Sequence, residues 1–135
     1  MAKRQPGSSN IFNISKPMAY RCQIAQYHRR LSRLYLAVYQ GRRDEPAFHL
    51  LFTDVAYLDA PMSWLGADFD IAEQPDCIAL MREAGLVGAA IERFPEAYAA
   101  ITDHARLYLA RTPHRRARII AGSAAILTSI PDDLG

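Results

Sequence analysis

The chain has 135 residues, half of them apolar and 22% charged, with a net charge of +2. That length suits one domain with its own core, and that composition excludes a disordered chain. No apolar run approaches the roughly 20 residues that a membrane-spanning helix needs, and the polar, basic start from Met1 to Asn10 lacks the apolar stretch of a secretory leader. The cysteines, Cys22 and Cys77, form no Cys-x-x-Cys pair. They read as reduced thiols, with at least one buried, and the compartment reads as cytoplasmic.

The small net charge hides a segregation. Residues 1–43 carry +9 and no acid, residues 44–103 carry −10, and residues 104–135 carry +3. Such an asymmetry is discharged within the fold, between copies of the chain, or on a phosphate-bearing partner. A tally alone does not choose among them.

In chain order, residues 1–15 read as a flexible N-terminal arm ahead of a domain over 16–135. Ile11, Phe12 and Ile14 are the exception, since three large apolar residues imply that the arm docks on its own domain or on a partner. Residues 17–30 fit a strand or a short helix: Ile24, Tyr27, Leu31, Leu34 and Val38 recur at spacings of three and four. Strand formers at 32–40 and 47–58 flank the polar turn Gln40-Gly41-Arg42-Arg43-Asp44-Glu45-Pro46, which predicts a hairpin. After a loop containing Pro61 and Gly66, a short strand is expected near 67–71.

Pro75 and Asp76 then start a helix near 75–84 with Cys77, Leu80 and Met81 on one face and Gly85 at its end. Further helices are expected near 86–93 and 95–111, the last from Phe94, Tyr98, Ile101, Ala105 and Tyr108 at helical spacing. Residues 116–128 read as a final strand in which Gly122 marks a bulge or a close backbone approach, with a short helix from Ser123 as the competing assignment. The order implies an α+β domain: a mainly antiparallel sheet with two or three helices packed on one face.

Chemistry-bearing motifs are sparse. Asp54, Asp59, Asp68, Asp70, Glu73 and Asp76 fall close together after His49, but the turn glycine of a calcium loop and a second histidine are missing. They read as a solvated acidic edge, and no metal or other cofactor is expected. His49 and Asp54 lie on opposite sides of a continuous strand, and His104 beside Asp103 does not share its face on a helix. No nucleophile elbow or phosphate loop occurs. Arg21 and His28 near Cys22 are of the kind that lowers a thiol pKa.

Three functional readings survive. The leading one is a non-catalytic binding or assembly module that forms a homo-oligomer, a dimer, or docks a protein partner. It rests on strand 47–58, whose two sides are both apolar and whose second face must be covered. The alternative is nucleic acid bound by Arg29, Arg30, Arg33, Arg42 and Arg43, interleaved with Tyr20, Tyr27, Tyr35 and Tyr39. The third is a small enzyme or ligand pocket formed by His49, Trp64, Asp68 and Asp70.

Overall fold

From Tyr20 to Thr53 the chain is dense in β-branched, aromatic and leucine residues, and there it forms three long antiparallel strands. The computed structural model describes residues 10–88, 90, 93–94, 96, 99, 103–112 and 116–128. Its strands are β1 (Tyr20–His28), β2 (Arg33–Gln40), β3 (Phe48–Thr53), β4 (Tyr57–Asp59), β5 (Ser63–Leu65), β6 (Phe69–Ile71), β7 (Arg106–Ala110), β8 (Ala117–Ala121) and β9 (Ser123–Leu127). A 3-10 turn at Pro17–Ala19 precedes them, and the α-helix α1 (Gln74–Glu83) lies between β6 and β7.

These strands build two antiparallel sheets, one ordered β5-β1-β2-β3-β9 and the other β4-β8-β7-β6. The main core lies between them. Leu34, Leu36, Val38, Leu50 and Phe52 from the larger sheet meet Phe69, Tyr108, Ala110 and Ile119 from the smaller. Phe52 sits at its centre, with ring centroids 5.7 Å from Phe69 and 5.3 Å from Tyr108. A second core forms where Cys77, Leu80 and Met81 of α1 cover Leu107, Leu109 and Ile120 on the outer face of the smaller sheet.

The undecided segment 17–30 is mostly strand. The three-residue step from Ile24 to Tyr27, which mimics helical spacing, comes from a bulge: the register of β1 on β2 slips between Ile24 and Gln26. The extra residue, Ala25, keeps both Ile24 and Tyr27 on the core side.

The expected strand 47–58 divides into β3 and β4, which belong to different sheets, and 116–128 divides likewise into β8 and β9. Together the four make one bent ribbon. His49 pairs with Leu127 and Thr53 with Ser123, whereas Tyr57 pairs with Ile120. The β3–β4 side therefore spends one more residue at the bend, as at a bulge. Asp54 turns the corner on one side with φ 52°, a left-handed value uncommon for a residue with a side chain. Gly122 faces it, and a Cβ there would lie 3.2 Å from the Asp54 Cβ and Oδ2. The predicted close approach at Gly122 is thus made against Asp54. The single sheet of the sequence reading becomes two because both strands switch sheets at this corner.

α1 begins and ends close to the expected 75–84. Gly85 takes φ 78°, and Leu86 N–H donates to Met81 O while Gly85 N–H donates to Arg82 O, the paired bonds of a Schellman cap. The other expected helices need correction. Residues 86–88 are not helical, and much of 89–102 lies outside the described residues. Residues 106–110 of the expected helix 95–111 are β7. That strand is covered on both faces, by the main core and by α1, so its apolar run shows no alternation to distinguish it from a helix. Among the described residues there is one α-helix, not two or three, on one face of the smaller sheet.

Ile11, Phe12 and Ile14 pack on the main core of their own domain. Ile11 N–H donates to Phe69 O, the Phe12 ring meets Phe52 and Phe69 edge-on, and the buried Asn10 side chain accepts from the Phe12 and Ile14 N–H groups. Residues 1–9 of the expected arm lie outside the described residues. No helix of the described residues is long and apolar enough to cross a membrane.

Candidate functional site

The five arginines of the basic segment fall into two groups. Arg29 and Arg30 occupy the turn between β1 and β2, and Arg33 opens β2 opposite His28. Arg42 and Arg43 lie past the other end of β2. Eight residues of strand separate the groups by about 26 Å at roughly 3.3 Å per residue. Beside Arg42 and Arg43 stand Asp44 and Glu45, and Arg43 lines the same surface cleft as those acids. Arg21 is turned over the Tyr39 ring, 4.5 Å from its centroid. The structure does not gather these groups into one cationic surface.

The pocket residues also point to different layers. His49 pairs with Ala37 on the outer face of the larger sheet. Trp64 pairs with Cys22 on its inner face, and its ring lies 6.4 Å from Phe69. Asp70 pairs with Leu109 on the face under α1, and Asp68 precedes β6, accepting the Arg111 N–H at its carbonyl. Burial pushes the His49 pKa below its ordinary value, and its Nδ1 is buried without a partner, as is the Trp64 Nε1. The four side chains line no common cavity among the described residues, and those residues contain no group of three or more metal-ligating side chains.

Cys22 is not the activated thiol that Arg21 and His28 suggested. Its side chain points into the main core, the thiol donates to Gly66 O at 3.4 Å, and burial pushes its pKa up to about 12. Cys77 is buried under α1 and its pKa is likewise raised by burial, with Arg106 acting weakly in the opposite sense. Reactivity follows the thiolate. Neither thiol should therefore react with a disulfide reagent at neutral pH in the native protein, and both should react once it is unfolded. A fast native phase of one thiol equivalent would contradict the burial of one of the two cysteines.

Two features that the sequence did not single out are better built. The first is β9. It closes one side of the larger sheet, and no described strand pairs with its other edge. The other outermost strands, β5, β4 and β6, have three residues each, whereas β9 has five. Edge strands are ordinarily protected by shortness, charge, proline or a bulge. β9, Ser-Ala-Ala-Ile-Leu, has no charge or proline, and it pairs with β3 without a slip in register. Ser123, Ala125 and Ile126 are exposed.

The second is the corner of the ribbon. A cavity of about 270 Å³ opens there, with the Asp54 and His104 side chains at its rim and Met81, Ala105 and Ile120 along its wall. Asp54 and His104 are fifty positions apart in the sequence, and only the sheet switch at Asp54 and Gly122 brings them to one place. Beside the corner, the Thr53 and Ser123 hydroxyls are hydrogen-bonded to each other.

No protein-family model, curated protein or solved structure matches the chain.

Proposed function

We propose that this protein is a binding and assembly module that self-associates by pairing β9 with β9 of a second copy. The observation that supports this is the edge of β9, uncharged and, among the described residues, unpaired and longer than the other outer strands of the two sheets. An antiparallel pairing about a two-fold axis uses the same strand on both copies, so one unprotected edge is sufficient. It would join two five-stranded sheets into one of ten and satisfy the outward backbone groups of Ser123 to Leu127. The net charge of +2 opposes this association only weakly.

Sedimentation or light scattering from micromolar to millimolar protein tests the proposal. The expected result is a dimer mass that Ala125→Lys converts to a monomer, because the exposed Ala125 side chain lies at the centre of the strand. Natural edges use lysine to this effect. A wild-type monomer throughout that range removes the proposal. So does a dimer whose mass Ala125→Lys leaves unchanged. Capture of an extended segment from a different protein is the same edge chemistry with another occupant.

A further inference from the structure

The geometry points to the corner cavity as a binding site for a small organic cation, an amine or guanidinium carried on a compact apolar body. Three observations converge on it. First, the accessible wall is apolar: Ala56 and Ala105 line it, with Met81 and Ile120 of the second core buried directly behind. Second, the polar groups at its rim are a carboxylate and an imidazole, Asp54 and His104, and no basic side chain is among its described lining residues. Neither has a hydrogen-bond or ion-pair partner among the described residues. Arg106, two residues beyond His104, is turned onto the Asp103 and Ala105 carbonyls. Third, the exposed Asp54 side chain lies against Gly122 at the corner of the ribbon. Asp54 occupies a left-handed conformation, and its Oδ2 occupies space left by the missing Cβ of Gly122.

The cavity is near the lower end of the size range for ligand sites, roughly 300–1,000 Å³, which fits a one- or two-ring molecule. A metal ion is the poorer occupant, since two side chains fall short of the three or four protein ligands metal sites ordinarily use. An ammonium can donate to the Asp54 carboxylate, and the imidazole supplies a second polar contact at the rim. The apolar body would then lie against Ala56 and Ala105, in front of Met81 and Ile120.

Phenethylamine is a suitable probe, with 2-phenylethanol as the neutral isostere and phenylacetate as the anion. Each is titrated into the full chain, and methyl resonances of Met81, Ala105 and Ile120 are followed by NMR. Phenethylamine should give saturable shifts at those methyls, 2-phenylethanol should bind about threefold or more weakly, and phenylacetate should not bind. Asp54→Asn should weaken phenethylamine by about three- to tenfold and remove its advantage over the alcohol, as loss of a partly solvated ion pair would. Asparagine tolerates positive φ at least as well as aspartate, so this variant keeps the corner. Ala56→Trp, on the exposed rim, should fill the cavity and abolish the shifts whether or not Asp54→Asn folds. Equal binding of amine and alcohol to the wild type overturns the proposal. So do shifts that never saturate, or shifts that survive Ala56→Trp.

Discussion

Phe52→Ala should lower the stability of the fold by about 3–5 kcal/mol, the range for removing a fully buried aromatic ring. Phe52 has no exposed surface, and it is where three parts of the molecule meet. Its ring contacts Phe12 of the N-terminal segment at 6.3 Å, Phe69 of β6 at 5.7 Å and Tyr108 of β7 at 5.3 Å between centroids. The first brings in the N-terminal segment, and the others tie the larger sheet to the smaller. Surrounding side chains converge from separate elements, so collapse into the vacated volume is difficult. A domain of this size has about 5–15 kcal/mol in total, so the variant loses a large share. Urea denaturation followed by tryptophan fluorescence measures the change. Leu65→Ala, on a side chain 49% exposed, is the matched control and should stay near wild type. A Phe52→Ala loss under about 1.5 kcal/mol would contradict its central position.

Gly66→Ala should cost about 2–3 kcal/mol, from two causes that act together. Gly66 takes φ 109°, a backbone value that L side chains rarely adopt. A Cβ there would also meet the Met18 Sδ at 2.9 Å and the Arg111 carbonyl at 3.2 Å. Met18 is half exposed and can swing away. The carbonyl is backbone and cannot. Nor can Gly66 move freely, since its N–H donates to Tyr20 O at 2.7 Å and its carbonyl accepts the Cys22 thiol. Gly41→Ala separates the two causes: φ there is 61° and a Cβ would meet nothing within 4 Å. It should cost only the intrinsic left-handed penalty, about 1–2 kcal/mol. Equal losses at the two glycines would remove the close approach from the account.

Local signals carried further in the sequence than non-local ones. The turn between β2 and β3 was marked by Gly41 and Pro46, and α1 was marked at both ends by Pro75 and Gly85, because turn and cap chemistry is written in adjacent residues. Gly122 was legible as a close approach, but not its partner, since Asp54 lies 68 positions away. The helical reading of 106–110 failed because Leu107 and Leu109 face one layer while Tyr108 and Ala110 face another. An apolar run buried on both sides carries no period. The doubly apolar strand 47–58 was a real signal with a different cause. Tyr57 packs on the second core after the chain has changed sheets, while His49, Leu51 and Thr53 remain only half-buried. The candidate sites were illegible for the same reason. That β9 is an edge depends on which strands pair, and the meeting of Asp54 with His104 depends on the bend.

The bent ribbon also sets how the molecule must fold. Its inner end joins Asp59 to Arg118, 59 positions apart, and its outer end joins His49 to Leu127, 78 apart. Closing loops of that size costs chain entropy before any contact repays it, which places folding among the slow β topologies, in milliseconds to seconds. The β1–β2–β3 meander is local and can form early. Until β9 arrives, however, the edge of β3 away from β2 has no strand beside it. During synthesis, the larger sheet stays incomplete until residue 127 is free to reach residue 49.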